Sequence, residues 1–282
     1  MAYSPSPRPT FARPTALRFN EVTRHTWGDP GSGRVEDWIY VSSELIHTLV
    51  YGIEPGDGFR HSEEFRTVFG ADLLYHVLQG TLVLANPETG EVVRAERGES
   101  VFFRKDTWHH GLSYGDEPLR VLEFFAPPPS TGTSGAYART RPFLPEERWR
   151  YGDDNLVGAL PGAVASSGST LHHVRPGDRA LRLEGDGLVG LVASTEHLTV
   201  ATLRLPATRS TPPVARGGDV VVFAERGALH VSAGWEDETH TLALGPWDAA
   251  YLPRGTTYTI TATGDAPADA LVGVAPSYLA RA

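Results

Sequence analysis

An all-β protein made of two small antiparallel barrels in tandem is the fold that this sequence predicts, and three observations predict it. Short runs of alternating apolar and polar residues recur at Leu73–Leu84, Val92–Ala95, Ser100–Phe103 and Leu119–Phe125, the period of strands with one buried face. Turn residues separate these runs at Gln79–Gly80, Asn86–Gly90, Arg97–Glu99 and Tyr114–Pro118, and short even strands with tight turns specify a small barrel or jelly roll. The same texture returns from Leu181 onward. Gly80 and Gly227, Asp72 and Asp219, and Gly98 and Gly245 all stand 147 residues apart, and three landmarks at one spacing mark an internal duplication.

Taken in order, residues 1–34 read as a proline-rich arm, because Pro5, Pro7, Pro9 and Pro14 keep its start extended. Trp27 is placed to anchor the arm to the barrel that follows. Trp38–Val41 and Leu45–Gly52 lead as strands into the first barrel, residues 35–128. A stretch rich in Pro, Gly, Ser and Thr around residues 126–137 opens a linker over 129–178, within which Pro145–Arg150 is a candidate short helix. The second barrel is expected over 179–278.

Composition narrows the function. The 282 residues are enough for one large or two medium domains, and 40% hydrophobic with 21% charged residues describes an ordinary globular chain. A net charge of -9 opposes a nucleic-acid partner. With no cysteine there is no disulfide, no thiolate nucleophile and no cysteine metal ligand. A bound metal would rest on His, Asp, Glu, Gln or Tyr, a donor set that suits Fe(II), Mn, Ni, Co or Zn. Lys105 is the single lysine and thus the single Schiff-base candidate. No apolar run approaches the ~20 residues that span a bilayer, and the start is neither a signal nor a transit peptide. The expectation is a cytoplasmic protein without membrane or nucleic-acid partners.

From Pro55 to Pro127 the order of residues resembles the two consecutive motifs of a cupin barrel. Gly98 fits the glycine that opens the second motif, and His109 falls on its metal-binding histidine. Arg104, Asp106 and Ser113 replace the proline, glycine and asparagine of that motif. The first motif keeps Pro55-Gly56 at its start and Gly80 at its end, with Leu73 at the glutamate position beside Asp72, and His61 alone for the histidine pair. In the second half Leu252-Pro253-Arg254-Gly255 supplies the proline and glycine of the second motif, Tyr258 takes the histidine position and Val220 the glutamate position. The chain thus resembles a bicupin whose second barrel has no metal motif and is structural.

The resemblance implies one divalent metal inside the first barrel, with His61, one of Glu63 and Glu64, and His109 as its ligands. Glu64 is taken over Glu63, and His109 over His110, which points the opposite way if the segment is extended. Fe(II) is the expected ion, with Mn, Ni, Co, Zn or no metal as alternatives. If Leu73, Tyr75 and Val77 face the interior, as the family pattern implies, His76 faces away and Tyr75 is placed to act on a substrate oxygen. Arg66, Arg104 and Trp108 are the expected substrate contacts, because arginine binds carboxylate or phosphate in a bidentate manner. The function expected on this resemblance is a metal-dependent enzyme, a non-heme iron dioxygenase for a small anionic or oxygen-rich molecule, assembled as a homodimer. The alternatives are a non-catalytic bicupin that binds a small ligand, and a metal-free isomerase or cyclase. The last requires an acid–base pair such as His109 with Tyr75 within hydrogen-bond reach.

Overall fold

The computed structural model describes residues 6–62, 66–128, 135–145 and 169–278. The first half runs through β1 (Thr15–Leu17), β2 (Thr23–Asp29), β3 (Gly33–Ser42), β4 (His47–Ile53), β5 (Gly58–Phe59), β6 (Asp72–Gln79), β7 (Thr81–Asn86), β8 (Glu91–Glu96), β9 (Ser100–Phe103), β10 (His110–Ser113) and β11 (Leu119–Ala126), and then a short helix, α1 (Gly135–Ala138). The second half runs through β12 (His172–Val174), β13 (Ala180–Glu184), β14 (Gly187–Ser194), β15 (Thr199–Leu205), β16 (Val214–Ala215), β17 (Asp219–Arg226), β18 (Leu229–Trp235), β19 (Glu238–Leu244), β20 (Ala249–Leu252), β21 (Thr257–Ala262) and β22 (Ala268–Ala275). Beyond Pro145, the segment expected to form a short helix lies outside the described residues. Among the described residues no helix is long and apolar enough to cross a membrane.

Two sandwiches result, as the alternation predicts. In the first, a seven-stranded sheet ordered β12-β9-β6-β11-β4-β3-β2 closes on a four-stranded sheet ordered β5-β10-β7-β8; in the second, β1-β20-β17-β22-β15-β14-β13 closes on β16-β21-β18-β19. The two orders correspond strand for strand, so the repeat read from three landmarks is a repeat of the whole topology. One exchange was not legible in the sequence. The outermost strand of each large sheet comes from the segment that leads into the other half: β12 pairs with β9 through His172 and Phe102, and β1 pairs with β20 through Thr15 and Tyr251. Residues read as arm and linker therefore contribute strands, and Thr23–Asp29 within the arm is an outer strand of the first large sheet.

The large sheets pack against each other, which buries their central strands on both faces. On β6, Leu73, Tyr75 and Val77 enter the interior of the first barrel, whereas Leu74 and Leu78 join the layer between barrels with Phe124, Phe223 and Leu271. Each barrel has its own core and shares this third one. The layer is tight enough that a methyl group on Gly273 would lie 2.5 Å from the Phe124 ring, so large and small residues interdigitate across it.

Two aspartates fix the register of the sheets. Asp219, 6% exposed, accepts hydrogen bonds from Ser43 Oγ at 2.5 Å, Tyr251 OH at 2.8 Å and the Arg254 amide at 3.0 Å. Asp72, fully buried, accepts from Thr195 Oγ1 at 2.8 Å and the Lys105 amide at 3.3 Å, and Arg104 Nε lies 3.1 Å from it. Ser43 and Thr195 each sit at the turn between two large-sheet strands of the opposite barrel and also accept from the backbone of that turn. Each barrel thus caps a turn of the other through a buried carboxylate, the structural role that the pairing of Asp72 with Asp219 suggests. Replacing Asp219 by Ala leaves three donors without their acceptor and should cost about 3 kcal/mol in denaturant-induced unfolding. Ala in place of the exposed Arg226, which pairs with Asp269 on the surface, should change stability by about 0.5 kcal/mol or less.

Candidate functional site

The interior of the first barrel holds a histidine and a tyrosine in contact. His109 stands immediately before β10 and is 1% exposed. Its Nδ1 lies 3.1 Å from the carbonyl oxygen of Thr107, which can only accept, so Nδ1 carries the proton and Nε2 presents a lone pair to the interior. The Tyr75 hydroxyl, on β6, lies 3.2 Å from that nitrogen and donates to it. Rings of Phe103 at 4.7 Å and Phe69 at 5.3 Å enclose the imidazole. Phe59 approaches it at 5.9 Å because Gly111 has no side chain, and a Cβ there would lie 2.4 Å from the Phe59 ring.

Burial sets the charge states. Removal from water lowers His109 to about 4, against a smaller opposite effect of the Thr107 bond, so the ring is a neutral base at neutral pH. Tyr75 is held well above the ordinary phenol range by burial first and then by Glu123, Tyr51 and Asp37. It remains a proton donor.

Glu123 and Asp37 are the functional candidates that motif reading missed. They lie 7% and 3% exposed inside the same barrel. Glu123 on β11 is the cross-strand partner of Tyr75 on β6, and Asp37 on β3 is the partner of Tyr51 on β4. The Tyr51 and Tyr75 rings meet at 5.1 Å. Asp37, Tyr51, Glu123 and Tyr75 therefore place polar groups on four adjacent strands of the large sheet, with His109 against Tyr75, and the buried His47 on β4 lies against Phe125 of the same interior. Burial pushes Glu123 well above the carboxylate range, with Asp37 adding to it, and raises Asp37 to about 7 against a side-chain hydrogen bond from Trp27. The available signal was parity: Val35, Asp37 and Ile39, like Val121, Glu123 and Phe125, alternate onto one face, and apolar neighbours on that face put the acid inside.

The other residues singled out by sequence lie elsewhere. His61 is buried, but its Nε2 donates to the Leu144 carbonyl at 2.7 Å and its Nδ1 lies 2.6 Å from His110 Nε2. His61 and His110 thus meet each other, with Trp108 at 5.0 Å from the His61 ring. Trp108 packs with Val68 and Ala138 in a small satellite cluster. Arg66 donates to the carbonyls of Ala138 and Arg141, which holds the segment around α1 in place. Arg104 pairs with Asp72 and with Glu196 of the second barrel, so it joins the barrels and is withdrawn from the substrate role expected of it. His76 faces the inter-barrel layer, where Nδ1 lies 2.9 Å from Ser100 Oγ. Glu63 and Glu64 lie outside the described residues. Among the described residues, no group of three or more His, Asp or Glu is placed to hold a metal ion. Of the ligands that the resemblance implies, His61 engages Leu144 and His110, His109 presents its Nε2 to the interior, and both glutamates lie outside the described residues.

The second barrel contrasts with the first. Val222, Leu229, Val231 and Ile260 fill its interior around Tyr258, which stands at the histidine position. Arg216, stacked 4.1 Å over Tyr278 and 3.4 Å from Glu184, lies at the edge of that core.

Residues 70–125 match the cupin domain family model. That span contains Tyr75, His109 and Glu123, and the jelly-roll barrels in tandem agree with it. No curated protein matches the chain in sequence. Among solved structures, Bacillus subtilis oxalate decarboxylase, studied for its Mn(II) centres, aligns over 97% of this chain and 80% of its own at 10% identity and a TM-score of 0.64. The Lactobacillus farciminis oxalate decarboxylase formate complex aligns over 97% and 88% at 11% identity and a TM-score of 0.63. AerE from Microcystis aeruginosa aligns over 90% and 97% at 11% identity and a TM-score of 0.59. At such identities the likeness is one of fold.

Asp37 gives the site a pH signature. Its proton is held to about 7 in the folded chain and lost near 3.8 in the unfolded chain. Between those values the folded state binds more protons, so this group's contribution to stability falls as pH rises. Urea unfolding of wild type and Asp37→Asn should show the variant gaining on wild type by a few kcal/mol from pH 4 to 7, with little further change above that range. A difference that does not vary with pH would contradict an uncharged buried Asp37.

Proposed function

We propose that the first barrel is the active site of a cupin-fold enzyme that moves a proton on a small organic molecule, with His109 as the base and Tyr75 as its proton-bearing partner. The observation that carries this reading is the buried bond from Tyr75 OH to the bare Nε2 of His109. A neutral imidazole whose other nitrogen is anchored to a carbonyl is oriented for proton abstraction, and a phenol beside it is placed to return a proton or to steady a developing oxyanion. Isomerisation, epimerisation and cyclisation need these two roles and no more. The second barrel, whose interior is mostly aliphatic around Tyr258, would serve as the partner that buries the outer face of the first.

In this mechanism substrate displaces the Tyr75 hydroxyl from Nε2. His109 removes a proton from carbon, and its new charge is tolerated only transiently because the site lowers its basicity. Tyr75 donates to the oxygen that gains electron density. The enclosing rings of Phe69 and Phe103 keep water from quenching the intermediate.

A second reading, a divalent-metal enzyme, is favoured by one feature: an anchored Nδ1 with Nε2 turned inward is also how a histidine ligand is oriented. Oxalate decarboxylase of similar fold has Mn(II) centres, which makes manganese the ion to test first. Nothing in the donor set favours iron or dioxygen chemistry. Elemental analysis of protein purified without chelators separates the readings: near one equivalent of metal, lost in His109→Ala, supports the second.

For the first reading, small carbonyl and amino compounds would be incubated with the protein in D2O and followed by NMR for exchange or isomerisation at carbon. The active compound should react about 10²- to 10⁴-fold more slowly with His109→Ala. It should also slow by at least about tenfold with Tyr75→Phe at unchanged circular dichroism. Full rates in both variants would overturn the assignment.

A further inference from the structure

The proton transfer above leaves two carboxyl groups and a set of aromatic rings in the first barrel without a task. Asp37 and Glu123 are buried, and among the described residues no arginine or lysine is buried to match them. A buried acid without a cation either keeps its proton or takes its counter-charge from a ligand. The surrounding side chains suit a cation: Tyr51 meets Tyr75 at 5.1 Å and Phe59 at 5.9 Å, and Tyr75 meets Phe103 at 5.1 Å. Aromatic faces attract cations, most strongly where water is excluded. An independent feature points the same way. Tyr51 is 2% exposed, shares this interior and has no hydrogen-bond partner for its hydroxyl among the described residues. A buried hydroxyl of this kind calls for a ligand group.

We propose that the first barrel binds an organic ammonium group against Tyr51, within reach of Asp37 and Glu123, so that the molecule it takes is a small amine. The proposal names the substrate class for the proton-transfer site and rests on the reading that this barrel is the site, though not on His109 acting as the base. It departs from the anionic substrate expected from Arg66 and Arg104, since those side chains engage α1 and the second barrel. His109 faces the same interior and, being neutral, opposes no cation.

Binding should release a proton. The groups facing Asp37 are its cross-strand partner His25 and Trp27 on β2, Tyr51 on β4, Glu123 on β11 and Tyr75 on β6; burial lowers His25, which favours its neutral form, and among these groups Asp37 is the one held to about 7. A bound cation favours its ionised form, so affinity rises with pH.

The test uses choline as the probe and 3,3-dimethylbutan-1-ol as its uncharged counterpart of the same shape, with binding read by calorimetry on the full chain. Choline should bind at least about tenfold more tightly than the alcohol at pH 8, and about tenfold more weakly at pH 6 than at pH 8. Asp37→Asn, which keeps shape and hydrogen-bonding capacity, should weaken choline at least about tenfold at pH 8 and leave the alcohol unchanged, whereas Glu123→Gln, which replaces an acid that already holds its proton, should weaken it less. Equal affinities for the two probes, no choline binding, or full choline affinity in Asp37→Asn would overturn the proposal. Because binding is read without turnover, failure of the proton-transfer assay with choline binding intact would count against His109 as the base and leave the cation site standing.

Discussion

The packing of the two seven-stranded sheets against each other is the constraint on which the rest depends. It buries β6, β11, β17 and β22 on both faces, so the strands that carry the candidate side chains inward are clamped from behind. The clamp is specified by more than area. Each barrel sends one aspartate to cap a turn of the other, and each large sheet takes its outermost strand from the segment leading into the opposite half. A carboxylate that loses such partners cannot return to water, which resists sliding of one sheet over the other. Strand exchange also covers sheet edges that would otherwise invite pairing with other chains.

On this rigid frame the two barrels diverge inside. The second is filled with aliphatic side chains around Tyr258, whereas the first contains Asp37, Tyr51, Glu123, Tyr75 and His109 among aromatic rings. Polar groups in a dry interior lower stability unless each is partnered. Their concentration in one barrel of a duplicated pair makes that barrel the candidate site. The charge states follow from the same burial: a neutral imidazole, a protonated phenol, a Glu123 that holds its proton and an Asp37 poised near neutrality. Acid–base work requires such a set, and it stays poised only while water is excluded.

Much of the fold was legible in the sequence because period-2 alternation and a constant 147-residue spacing are global signals. The exchanged strands were not, since a three-residue strand such as His172–Val174 has no pattern of its own and takes its conformation from its neighbour β9. The inward direction of Tyr75 and the outward direction of His76 followed from parity, and His109 was singled out by motif position as a metal ligand. His61 illustrates where motif spacing fails. Four extra residues precede Asp72 relative to the second half, the register is lost across them, and the side chain meets His110 and Leu144 instead. Arg104 was read as a substrate contact because its partners, Asp72 and Glu196, lie far away in the chain. Asp37 and Glu123 escaped notice because a charged residue in a strand is ordinarily assigned to the solvent face. Their apolar neighbours at two-residue spacing carried the contrary information.

The central claim is that a neutral His109 accepts a hydrogen bond from Tyr75 inside a dry barrel, and ring-nitrogen NMR of histidine-labelled protein tests it most directly. At pH 7 the account predicts a protonated Nδ1 and a bare Nε2 for His109, unchanged on acidification to about pH 5. It also predicts that Tyr75→Phe displaces the Nε2 resonance and leaves Nδ1 in place. A protonated Nε2, or an imidazolium already formed at pH 6, would contradict it.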